Sequence, residues 1–226
     1  MAACIEPLKR LRRLPSKGAA GGPAEPDSRP LPDGVGRLKL QPVSRRSVLR
    51  HWLLAPDSLS RRLAALGQRF EVQTLHQGCG RLQRGEAADL APQSRMRCWV
   101  REVLLRVDGE PLVWARSVTP RRTMNGPWRA LRRLGSRPLA DLLFSDRRVR
   151  RTPLRREPLV PHGPLARRLA RQWRTATGEA PPAGMVWARS SVFHKHGAPL
   201  RVMEALSPAL AAAAVDRRPR PRPHPR

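Results

Sequence analysis

The sequence predicts an α+β domain, a single antiparallel β-sheet of about six strands with helices packed on it. Two sharp-turned hairpins and an amphipathic helix between them lead to this reading. Strands and helices do not alternate as βαβ units, so a parallel sheet is excluded.

The elements follow in chain order. Residues 1–43 are rich in Pro, Gly and small residues and read as a flexible leader. A helix from Arg45 to His51 leads into Trp52-Leu53-Leu54, and Asp57 or Ser58 can cap a second helix through Leu59, Leu63 and Leu66. Phe70, Val72 and Thr74 alternate as a strand. The first hairpin runs from Arg97 to Val107, turns at Asp108-Gly109 and returns over Leu112–Val118. Asn125-Gly126-Pro127 opens a helix over Trp128–Leu134 that Gly135 stops, and a short helix follows over Pro138–Phe144. The Arg- and Pro-rich run 146–158 reads as loop. Leu165, Leu169 and Trp173 share one face of a basic helix, which packs that stripe on the domain in preference to an anionic membrane. The second hairpin has strands Met185–Phe193 and Pro199–Leu206 around a turn at His194–Gly197. The domain spans 44–212, and 213–226 is a disordered Arg/Pro tail.

Composition limits the function. The chain has 226 residues and a formal charge of +28. Its basic residues are lopsided, with four Lys among 45 Lys plus Arg, as a GC-rich genome would produce. Attraction to polyanions follows from the charge, but no nucleic-acid recognition motif accompanies it. A basic nucleic-acid-binding module is therefore the alternative from another class, and no specific nucleic-acid partner is expected. The three Cys form no CxxC pair or disulfide framework, which suits a reducing compartment, and no transmembrane segment is predicted. His194 and His196 flank Lys195 without Cys or acidic partners at motif spacing, so no metal is expected. Gly78-Cys79-Gly80 lacks the Lys and following helix of a phosphate loop.

Strand parity singles out charges on apolar faces. Arg101 shares a face with Trp99, Val103, Leu105 and Val107, while Glu102 and Arg106 point the other way. Glu204 shares a face with Leu200, Val202 and Leu206; Arg116 shares one with Leu112, Trp114 and Val118. Charges are rarely left buried and unpaired. Either Arg101 and Glu204 form a structural bridge, or Arg101 awaits an anionic ligand in a pocket where Glu204 handles a proton or binds a hydroxyl.

Four phrases then resemble one family. WVREVLLRVDGEPLVWARSVTP (99–120), LGSRPLADLLF (134–144), WARSSVFHKHGAPLRVMEALSP (187–208) and WLLAPDSLSRRL (52–63) are similar, in order, to segments of the chorismate lyases. The resemblance implies helical flaps over an internal site. It also implies a cofactor-free elimination of pyruvate from chorismate, giving 4-hydroxybenzoate on the way to ubiquinone, by a cytoplasmic monomer. By the matching motifs Arg101 and the backbone amides of Leu59 and Leu139 hold the ring carboxylate. Glu204 is the catalytic residue and reaches the hydroxyl. Arg116 is an additional candidate, for the enolpyruvyl carboxylate. An inactive relative that only binds chorismate or 4-hydroxybenzoate is a nearer alternative, against which the presence of both Arg101 and Glu204 argues. Ala140 stands where the family has Gly, which matters only if that backbone needs a positive φ.

Overall fold

A computed structural model of the chain describes residues 44–90 and 97–216. The expected leader 1–43 and residues 217–226 of the expected tail lie outside the described residues. Ser44 caps helix α1 (Arg45–Leu54) by accepting from the Ser47 amide at 3.2 Å, and Ser58, not Asp57, caps α2 (Leu59–Ala64). Strand β1 covers Phe70–Gly80, and a tight turn leads into α3 (Ala87–Leu90). Strands β2 (Cys98–Val107) and β3 (Glu110–Pro120) form the first hairpin. Its turn residues Asp108 and Gly109 have φ of 51° and 84°, the positive values of a type I′ turn.

The helix expected over Trp128–Leu134 is instead a 3-10 turn, Arg129–Arg133, ahead of α4 (Leu139–Ser145). The run 146–158 is not simply loop, because it contributes strands β4 (Val149–Arg151) and β5 (Arg155–Pro158), both paired with β6. These pieces are too short to show alternation, and their arginines belong to strands at the sheet edge, where charge discourages edge-to-edge association. Helix α5 (Pro164–Thr177) begins on its proline and ends at left-handed Gly178. Strands β6 (Trp187–Lys195) and β7 (Ala198–Leu206) join through His196-Gly197, again with both φ positive. Helix α6 (Ala209–Asp216) continues past residue 212, and Ala213 and Ala214 pack on the core.

Among the described residues all pairings are antiparallel, in the order β1-β2-β3-β7-β6-β4 with β5 also on β6, a sheet of seven strands. One face carries Val103, Leu105, Val113 and Ala115 against Trp52 and Leu53 of α1, Leu59 and Leu63 of α2, and Leu210 of α6. The other carries Leu104, Trp114, Ala188 and Met203 against Leu169 and Trp173 of α5. The basic helix therefore buries its stripe in the domain. Among the described residues no helix is long and apolar enough to cross a membrane.

That second face also holds a buried ionic network. Arg116 donates to Glu86 through Nε (2.6 Å) and Nη2 (2.9 Å), to Glu102 through Nη1 (2.5 Å), and to the Arg81 carbonyl. Glu102 also accepts from Arg168 and from Gln172, and Arg201 reaches Asp89 and Glu157. Burial alone would raise the carboxyls of Glu102 and Asp89, but arginine hydrogen bonds and charges hold both below the ordinary value. A carboxyl depressed in the folded state stabilises it above the unfolded pKa of about 4, and that stability is lost as pH falls through the folded value. The melting temperature is accordingly expected to hold from about pH 7 to 5 and to drop below about pH 4. Thermal melts by circular dichroism check this; melting that rises on acidification would contradict it.

Candidate active site

A cavity lies on the first face of the sheet, roofed by α2 and α4. Val103, Leu105 and Val202 line its floor, and Leu59, Leu139 and Leu143 come from the roof. The charged residues lining it are Arg101, Arg151, Arg189 and Glu204. Sequence parity places Arg101 and Glu204 on this face, and the register agrees. Arg101 lies opposite Ser117, which lies opposite Val202, two residues from Glu204. At ordinary strand spacing the two backbones are about 10 Å apart across the sheet and about 7 Å along it.

Arg101 is 3% exposed. Its Nη2 donates to the carbonyls of Gly135 (2.9 Å) and Arg137 (3.0 Å), and its Nε is buried with no hydrogen-bond partner among the described residues. Gly135 has a φ of 54°, a left-handed conformation suited to glycine, and its carbonyl also accepts from Thr74. No described carboxylate pairs with Arg101, and desolvation pushes its guanidinium down to about 10.

Glu204 does not bridge to Arg101. It faces Arg189 in register and accepts from Arg189 Nε at 2.6 Å through Oε2. Oε1 makes no hydrogen bond to a described residue. Arg189, 1% exposed, also donates from Nη1 to the carbonyls of Trp52 (3.3 Å) and Ala55 (2.8 Å), which satisfies carbonyls at the end of α1. Leu59 and Leu139 occupy the first positions of α2 and α4, where amides have no acceptor within their own helix. The cavity thus gathers a desolvated cation, two helix starts and a carboxylate held by a second cation. Such a set can hold an anionic group at one end of a small ring and a hydroxyl at the other.

Arg116 lies elsewhere. A direct count from the Asp108-Gly109 turn would set Arg101 opposite Arg116, but a β-bulge shifts the register between Leu105 and Arg106. Arg116 therefore faces Glu102, and its guanidinium joins the network on the far side of the sheet. Leu112, expected beside Trp114, joins the opposite core for the same reason. Ala140 sits within helix α4 and is not among the positive-φ residues, so its side chain meets no strain. Among the described residues no group of three or more His, Cys, Asp or Glu could hold a metal.

Two cavity arginines escaped the sequence reading. Parity would have found Arg189, which shares its β6 face with Ser191 and Phe193. Arg151 carried no signal, because its three-residue strand was hidden in an arginine run.

The sequence profile of the family described as Chorismate lyase matches residues 39–210. A protein named probable chorismate pyruvate-lyase from Albidiferax ferrireducens is 47% identical over 168 residues, 73% of this chain and 85% of the relative. One of the same name from Azoarcus sp. (strain BH72) is 40% identical over 184 residues, 81% of this chain and 96% of the relative. Among solved structures, PhnF from Mycobacterium smegmatis is a loose likeness, TM-score 0.45 and 13% identity over 68% of this chain and 65% of that one, too distant to inform the chemistry. With its profile match and its near-full-length relatives, the chain belongs to the chorismate lyase family.

Proposed function

We propose that the protein eliminates pyruvate from chorismate and leaves 4-hydroxybenzoate, the aromatic ring that enters ubiquinone. The observation that carries this reading is Arg101, a desolvated guanidinium lining the cavity with no carboxylate partner among the described residues. A buried cation without a counter-charge costs several kcal/mol, a cost that a bound carboxylate offsets.

In this reading Arg101 and the amides of Leu59 and Leu139 hold the ring carboxylate. Glu204 accepts the ring hydroxyl through Oε1, next to the carbon that loses its hydrogen. The neighbouring ring C–O bond breaks and the ring becomes aromatic. The hydrogen lost from the ring is balanced by the one gained as the enolpyruvyl fragment becomes pyruvate. Aromatisation drives the step, so orientation and charge placement suffice and no electron sink is required.

The test is to incubate purified protein with chorismate in EDTA without added metal or nucleotide. One 4-hydroxybenzoate and one pyruvate are expected per chorismate consumed. Chorismate left intact, or activity abolished by EDTA and restored by a metal, would overturn the reading.

A further inference from the structure

We infer that the cavity contains a second carboxylate subsite, built on Arg151 and Ser191, which takes the enolpyruvyl carboxylate of a dicarboxylate substrate. This rests on the reading of chorismate as substrate and deepens it.

The first observation is geometric. Arg151 comes from the edge strand β4, opposite Phe193, and its guanidinium lies over the Phe193 ring at 5.3 Å. Its Nε donates to Ser191 Oγ (2.8 Å) and its Nη1 to the Pro56 carbonyl (2.5 Å). Its Nη2 makes no hydrogen bond to a described residue. Arg151, Ser191 and Phe193 all line the cavity that Arg101 and Glu204 line. The guanidinium is thus fixed in place by two bonds and a ring, with the two N–H bonds of Nη2 in reserve.

The second observation is charge. Among the described residues three guanidiniums and one carboxylate line the cavity. Arg189 and Glu204 pair with each other, which leaves the positive charges of Arg101 and Arg151. Chorismate carries two carboxylates and 4-hydroxybenzoate only one. Burial first, and then the charge of Arg189, lowers the Arg151 guanidinium, while Glu204 opposes this. Two under-compensated cations in one cavity match a dianion better than a monoanion. The order across the sheet is Arg101 on β2, Glu204 on β7 and Arg151 on β4 beyond β6. The hydroxyl-binding carboxylate therefore stands between two anion anchors. In chorismate the hydroxyl-bearing carbon adjoins the carbon that carries the enolpyruvyl arm, so the arm's carboxylate can extend past the hydroxyl toward the second anchor.

A clamp between the Pro56 turn and the sheet edge is the alternative role for Arg151, and a clamp would affect every ligand alike. The variant Arg151→Gln separates the two. If the subsite holds, kcat/KM for chorismate falls about 30- to 1000-fold, the loss of one charge-assisted carboxylate contact. The dissociation constant of 4-hydroxybenzoate should then stay within about threefold, since it has no second carboxylate. Equal loss for both ligands, or loss for neither, overturns the subsite.

A wild-type measurement stands independently of how the variant folds. 4-Hydroxybenzoate bearing a 3-carboxymethoxy arm should bind at least about tenfold tighter than its 3-methoxy counterpart; equal affinity overturns the subsite. If the tenfold preference is present and chorismate is not turned over, the subsite stands and the proposed reaction falls.

Discussion

Replacing Arg101 by methionine is expected to weaken 4-hydroxybenzoate binding about 30- to 1000-fold, or about 2–4 kcal/mol, with chorismate turnover falling at least as far. Folding should scarcely suffer. The guanidinium has two carbonyl acceptors, a buried Nε with no partner and no counter-ion among the described residues. Exchanging such a charge for an apolar side chain of similar length removes a desolvation cost, and such exchanges are often neutral or stabilising. The melting temperature should stay within about 5 °C of the parent or rise. Calorimetric titration and thermal melts check both halves. A variant that melts far lower yet binds product normally would make Arg101 a scaffold residue.

Arg116→Ala should do the reverse. Arg116 is 1% exposed and neutralises Glu86 and Glu102, both fully buried. Its removal leaves two buried carboxylates short of a partner, at a cost of about 3–5 kcal/mol. For a domain of this size that lowers the melting temperature by about 6–20 °C. The far side of the sheet carries no cavity-lining group of the site, so the folded variant should bind 4-hydroxybenzoate within about threefold of the parent. Lost binding with unchanged melting would return Arg116 to the site. The two arginines stand on neighbouring strands, and the face each points to separates their roles.

That contrast shows what could be read from residue order alone. The hairpins were legible because Asp108-Gly109 and His196-Gly197 supply the positive φ values that a two-residue turn requires. Arg101 and Glu204 were legible because a charge among alternating apolar residues must find a partner or a ligand. The side of the sheet that Arg116 occupies depends on a bulge at Leu112. Its one local mark is the strand proline Pro111 just before it, which by itself does not say whether an extra residue follows. Arg189, the partner of Glu204, is legible by the same parity, since it stands on the β6 face that carries Ser191 and Phe193. Arg151 was beyond reach, since three residues between Arg148 and Thr152 show no period. Only the pairing of Val149–Arg151 with Phe193–Lys195 makes them a strand.

On the proposed function the cavity holds a ring carboxylate on Arg101, a cation with no counter-ion among the described residues. Titrating the unaltered protein with 4-hydroxybenzoate and with 4-hydroxybenzamide, which keeps the ring and hydroxyl but carries no charge, tests it most directly. The acid should bind at least about 30-fold tighter than the amide, as expected for a charge-assisted contact in a desolvated site. Equal affinity for the two would contradict the claim.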